Sequence, residues 1–242
     1  MSNFFPLGQE SAPSTGSAGT VNGVMVATVT NINDPDKLGR VKLKFPVREN
    51  EHETDWAPIV SLMTGSAMGT LFIPDVGDEV LVAFHLGHLN QPFVIGSLWN
   101  SQKKPPTYEQ TNKIRKIKTK KGHEVIFDDN DSAAKLTLKT PDGHKIEFDD
   151  QKDTIKMLTS TNNQEVSITG GSSGKVTVKC GTSKIEITQT GDITINATKA
   201  VTIKGPQINV EASAKLSLSG NAAVELKSSG IVTIKGAMVK IN

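Results

Sequence analysis

From Val166 onward the apolar residues fall in pairs two positions apart. The pairs are Val166/Ile168, Val176/Val178, Ile185/Ile187, Ile193/Ile195, Val201/Ile203, Ile208/Val210, Leu216/Leu218, Val224/Leu226, Val232/Ile234 and Val239/Ile241. Successive pairs are separated by 10, 9, 8, 8, 7, 8, 8, 8 and 7 residues. Two residues at i and i+2 share the face of a strand and cannot share the face of a helix. Each unit therefore reads as one short strand and a turn, repeated. The outward neighbours are mainly Thr, Lys, Glu, Ser and Asn, and the stretch VTIKG recurs at Val201–Gly205 and Val232–Gly236.

Upstream the same pattern is looser. Val125/Phe127, Leu136/Leu138, Ile146/Phe148 and Ile155/Met157 are 9 to 11 residues apart, and the Gly122-His123-Glu124 run resembles Gly143-His144-Lys145, offset by 21. The bulky Phe127, Phe148 and Met157 fall in this loose part, whereas Val, Ile and Leu fill the tight part. That gradient suits a shaft that narrows toward the C-terminal end.

Two apolar side chains, at about 1.5–3 kcal/mol each, cannot offset roughly 1–2 kcal/mol of backbone entropy for each of about eight residues. The units must stack. A single-chain β-solenoid with three units per turn would stack them, and so would three intertwined chains forming a triangular prism. The sparse interior favours the trimer, because two small aliphatics from each of three chains can close a narrow axis. In that arrangement Val176, Val178, Cys180, Ile185, Ile187, Ile193, Ile195, Val201, Ile203, Ile208, Val210, Leu216, Leu218, Val224, Leu226, Val232 and Ile234 face the axis.

Residues 21–100 hold a different set of strands. In GRVKLKF at Gly39–Phe45, Val41, Leu43 and Phe45 share one face and Lys42 and Lys44 the other. Turn-rich INDPDKLG precedes this strand, and Asp75-Val76-Gly77-Asp78 leads into the buried strand EVLVAF. Five or six short strands in about eighty residues suit a small closed barrel of the OB type. The expected fold is all-β, with a flexible arm over 1–20, an OB barrel over 21–106, a neck over 107–165 and a tight shaft over 166–242.

Composition narrows the function classes. Only 36% of residues are hydrophobic and 5% aromatic, low for a compact enzyme core, and the net charge of +2 argues neither for nor against an acidic partner. One cysteine excludes an intrachain disulfide. The first twenty residues lack the charged start and apolar core of a signal peptide, and the longest aliphatic or aromatic run, Val80–Phe84, is too short to span a membrane. A soluble protein made in the cytoplasm is expected.

No catalytic, cofactor or metal site is expected. His85 and His88 are three apart, a spacing that does not converge on a strand or loop, and no other ligands complete a set. Asp128-Asp129 and Asp149-Asp150 read as water-facing turn acids, since adjacent strand residues point to opposite faces. Cys180 shares the parity of Val176 and Val178 and reads as a small axial residue. Trp56 and Trp99 read as core or interface anchors. The basic run Lys113, Arg115, Lys116, Lys118, Lys120 and Lys121 reads as a solvated collar or docking face, because no exposed aromatics alternate with arginines for base stacking.

The ordered blocks NDPDKLGRVKLKFP (33–46), TDWAPIVS (54–61), GTLFIPDVGDEVLVAF (69–84) and PFVIGSLWN (92–100) resemble the phage baseplate central-spike family (baseplate assembly protein V). They also resemble the C-terminal half of VgrG spikes of type VI secretion. GHEVIFDD and PDGHKIEFDD look like that family's neck repeats. The resemblance implies an OB collar on a trimeric triple-stranded β-helix, driven through an envelope by sheath contraction. The chain lacks the large N-terminal hub domain of VgrG, so a separate hub protein is implied at the OB end. Other baseplate subunits and transient contact with a target membrane are implied too. Some phage spikes in the family hold iron at the tip through a His-x-His motif; His144 is the last histidine here, so that metal has no ligands in this chain. In place of a cap, Ala237, Met238, Val239, Lys240, Ile241 and Asn242 are expected to dock a PAAR-type tip protein. The expected location is a phage tail or phage-tail-like particle. The rival readings are an OB-type nucleic-acid binder and a β-solenoid carbohydrate-active enzyme.

Overall fold

The computed structural model describes residues 21–46 and 53–241; the proposed arm over 1–20 and Asn242 lie outside the described residues. The described chain is all-β, its helical content limited to a 3-10 turn at His85–Gly87. It divides into two compact units, residues 1–141 and 142–242.

The first unit opens with a barrel. Strands β1 (Val24–Asn31), β2 (Lys42–Lys44), β5 (Glu79–Phe84) and β6 (Pro92–Leu98) lie in the order β2-β1-β5-β6. The segment 57–60 closes the ring. Val41 and Ala57 exchange both backbone hydrogen bonds, at 3.0 and 2.8 Å, while Val94 N–H donates to Pro58 and Val60 N–H donates to Val94. The interior holds Ala27, Val29, Val41, Leu43, Val80, Val82 and Val94, with the Phe45 and Phe84 rings 5.7 Å apart at one side. Small β-branched side chains suit the narrow lumen of a five-stranded barrel. The expected alternation in Gly39–Phe45 holds, since Val41, Leu43 and Phe45 are buried and Lys42 and Lys44 are not. Between the closing segment and β5 a small hairpin is formed by β3 (Thr64–Gly65) and β4 (Met68–Gly69).

An antiparallel meander follows in the same unit: β7 (Ile114–Lys118), β8 (Glu124–Asp128) and β9 (Lys135–Lys139). The second unit continues in kind with β10 (Lys145–Asp149), β11 (Thr154–Leu158), β12 (Gln164–Thr169), β13 (Lys175–Cys180), β14 (Ser183–Thr188) and β15 (Ile193–Asn196). Each pairs antiparallel with the next. Turns such as Thr188–Asp192 join them. There Gly191 has φ +95°, and the Thr188 hydroxyl accepts the Asp192 N–H at 3.1 Å. Beyond Asn196 the repeats from Val201 to Ile241 form no ladder, and every residue from 201 to 241 is exposed.

Candidate functional site

The registers align the apolar pairs. Ile146 faces Met157 and Phe148 faces Ile155; Ile155 and Met157 face Ile168 and Val166. Val166 and Ile168 then face Val178 and Val176, which face Ile185 and Ile187, which face Ile195 and Ile193. Directly opposed residues of an antiparallel pair project to the same side. The second unit therefore carries one apolar strip, two side chains wide, across its sheet. In the first unit Ile117, Val125 and Leu138 are opposed in the same manner, as are Phe127 and Leu136.

This sheet is exposed on the wrong side for a water-soluble monomer. On the polar face Ser167 is only 8% exposed, whereas Ile187 on the apolar face is 44% exposed and Ile193 68%. Lysine stems and carboxylates cover the polar side. Glu186 accepts Lys175 and Lys184, each at 3.3 Å, and both cations hold its carboxyl below the usual carboxylate range. Lys145 bridges to Glu147 at 3.0 Å. Among the described residues nothing comparable covers the apolar strip.

A family described as the type VI secretion system/phage-baseplate injector OB domain matches residues 25–99, the span of the barrel. Residues 25–99 are an injector-type OB domain. Spike protein VgrG3 of Vibrio cholerae is 30% identical over 132 residues, which cover 49% of this chain and 13% of that protein. Spike protein VgrG2a of Pseudomonas aeruginosa is 28% identical over 132 residues, 49% of this chain and 16% of that protein. The Vibrio cholerae actin cross-linking toxin VgrG1 is 30% identical over the same length, 12% of its own. The chain thus matches a small fraction of each of these curated relatives.

Within the injector OB domain the best-built polar group is the loop before β2. Asp34, with its side chain nearly sealed from solvent, accepts the Arg40 guanidinium at 2.7 and 2.9 Å and the N–H groups of Asp36 and Leu38. The Arg40 guanidinium first, then those backbone donors, hold the Asp34 carboxyl well below the usual carboxylate range, against the effect of burial. The left-handed Lys37 (φ +56°) completes the turn. Its role is to shape the loop, and the sequence reading of INDPDKLG as a plain turn missed the buried ion pair.

The basic run is solvated for the most part and includes a strand. Residues 114–118 are strand β7, the first of the meander, and several cations in and beside it are paired: Lys113 with Asp131, Arg115 with Asp129, and Lys118 with Glu124 at 2.7 Å. Lys120 reaches back to Asp75 of the OB domain at 2.9 Å, which raises its pKa. Ile114 and Ile117 are three apart, so no two-residue period announces this strand; only the register Ile117 to Val125 does.

Other expectations meet the structure as follows. Asp149 is 3% exposed rather than water-facing; it forms the turn after β10, accepting the Lys152 N–H at 2.9 Å, with Lys152 Nζ 3.9 Å away. Asp129 is exposed, as expected of a turn acid. His85 and His88 bracket the 3-10 turn, His88 N–H donating to the His85 carbonyl at 2.9 Å, and both are exposed. Among the described residues no cluster of three or more His, Cys, Asp or Glu could hold a metal ion. Trp56 is half-buried under Lys42, whose Nζ is 5.5 Å from the ring centroid. Trp99 is exposed and lines a surface groove with Pro105, Pro106 and Tyr108, so it is no core anchor of this chain. Cys180 is exposed at the end of β13, opposite Gln164 and Ser183.

Proposed function

We propose that this chain is a central spike subunit of a contractile, phage-tail-like injection apparatus, that three copies intertwine, and that the assembly pierces an envelope mechanically. The observation that carries this reading is the inverted sheet, apolar on its open side, followed by repeats that find no ladder partner within the chain. A continuous apolar strip on a soluble protein marks an interface. Three strips brought together would bury one another, and three copies of the repeats over 201–241 would supply the missing strand pairs. In this reading residues 21–106 are the collar, 107–165 the neck and 166–242 the shaft. The axis is lined by the paired aliphatics from Val176 to Ile234, with Cys180 among them.

The spike works by force and carries no catalytic group of its own. A hub protein and other baseplate subunits dock at the OB end, and the target membrane is touched only in passage. At the other end the segment 237–242 docks a PAAR-type tip protein; Met238 and Ile241 are fully open to serve it. Nucleic acid is no partner in this reading, because four of the six cations of the basic run, Lys113, Arg115, Lys118 and Lys120, are held in ion pairs within the chain.

Light scattering on the purified chain tests the assembly. The expected mass is three times 25.9 kDa, or 77.7 kDa. A mass near one chain would return the repeats to a single-chain solenoid.

A further inference from the structure

The injector OB domain has a second apolar surface that the shaft reading does not use. From Val60 to Pro74 fifteen consecutive residues carry no charge, in a chain where 21% of residues are charged. Within this run Leu62, Met63, Met68, Leu71, Phe72 and Ile73 are all exposed, Leu62 at 96% and Phe72 at 69%. The segment is not a loose loop. Thr64 and Gly65 pair with Gly69 and Met68, Thr70 N–H donates to Met63 at 3.2 Å, and the Ser61 hydroxyl lies 2.8 Å from the Thr70 carbonyl and 2.7 Å from its hydroxyl. Gly69, at φ +143°, lets the Met63 carbonyl pass where a Cβ would stand 2.4 Å from it. A hairpin fixed from Ser61 to Thr70 and the Leu71–Ile73 segment after it, which together hold six large apolar side chains in water, have the composition of an interface core, which is depleted in charge and rich in Met and aromatic residues.

What covers it follows from where it leads. Immediately after Pro74, Asp75 is bound by Lys120 at 2.9 Å, and Lys120 sits in the turn between β7 and β8. Ile117 and Val125, the first opposed pair of the first unit's apolar strip, flank that same turn. Asp78, three residues on, is bound by Lys103 at 2.6 Å. The Lys120–Asp75 pair therefore ties the end of the uncharged run to the turn at the start of the strip, and Lys103–Asp78 fixes the loop that follows the run.

We propose that the β3–β4 hairpin and the Leu71–Ile73 segment pack against the barrel of a neighbouring copy of this chain, extending the inter-chain contact of the strip into the collar. This rests on the trimeric spike reading. A patch continuous with a face that meets its own copies is covered by those copies, and its lack of charge suits burial where like charges from identical chains would repel.

The test uses the full chain with the photoreactive amino acid benzoylphenylalanine at Leu62 or at Phe72, one position at a time. Mass is measured by light scattering and products by denaturing electrophoresis after illumination. The expected result is a particle of three chains, with light-dependent species at two and three times the chain mass from both positions. A three-chain particle with no chain-to-chain product at either position overturns the hairpin contact and leaves the spike reading standing. Products formed only with a co-expressed hub protein, or only with added phosphatidylcholine vesicles, overturn it equally. A one-chain particle overturns the trimer and the hairpin contact together.

Discussion

Asp34 shows how one residue sets the chemistry of a turn. Its carboxyl is held low by Arg40, so the ionised form is favoured in the folded state. A group with a depressed folded pKa contributes stability that is fully present above its unfolded value, about 4, and is lost as pH falls through the folded value. Glu124 and Glu186, lowered by Lys118 and by Lys175 with Lys184, work in the same direction. Asp34→Asn should destabilise the first unit at pH 7 and flatten its loss of stability on acidification. Both tryptophans lie in that unit, so denaturant melts followed by fluorescence at pH 7 and pH 3 should report it; parallel acid limbs for the two proteins would assign the ion pair no role. Gly69 is the second such residue. An alanine there combines a left-handed cost of about 1–2 kcal/mol with a clash against backbone, and Gly69→Ala should lower the stability of the first unit by at least that much. An unchanged melting midpoint would mean that the hairpin is free to shift.

At the scale of elements, the strand repeat was readable as far as β15 because its period is two and its turns are marked by glycine and threonine, whereas the same period from Val201 to Ile241 forms no strand within one chain. The pairs Val176/Val178 and Ile185/Ile187 fall opposite each other as their parity requires. Strand β7 was not readable, because lysines and an arginine interrupt its apolar positions and only cross-strand pairing assigns Ile117 to the strip. Asp149 stands 21 residues after Asp128, at the same end of its strand, yet it is buried where Asp128 is half-buried. Adjacent octad positions should behave oppositely. Within one chain Ile203 and Lys204 are both exposed. In a trimer Ile203→Asp would bring three carboxylates together at the axis, at a cost of several kcal/mol, while Lys204→Asp would face water. The expected outcome is a large drop in unfolding half-life in denaturant for Ile203→Asp and little change for Lys204→Asp. Equal half-lives would reverse the inward and outward assignment.

Intertwining makes a kinetic claim about the whole molecule. No strand can leave without unthreading from two others, so the wild-type particle should unfold over hours where a monomeric barrel unfolds in seconds to minutes. Rapid unfolding of the 77.7 kDa particle, three times 25.9 kDa, would argue for side-by-side docking instead. The proposed docking segment at 237–242 carries its own test. Full-length chain co-expressed with a PAAR-type protein should retain it through affinity purification, and a chain truncated after Gly236 should lose it. Equal capture by both, or by neither, would remove residues 237–242 from the docking role.

Strand parity, turn positions and the barrel's buried face were determined by the sequence alone, because each depends on neighbours two to four residues away. Val41, Leu43 and Phe45 needed only alternation to be placed inside. The closing of the barrel through Val41–Ala57 and Ile59–Val94 depended on pairings between distant segments, which local pattern does not encode. The same is true of the Lys120–Asp75 tie between the meander and the OB domain. Even the hairpin's six open apolar side chains were hidden in sequence, since an uncharged run reads equally as core. Whether such a run is buried is decided by which surfaces the tertiary fold has left to cover it.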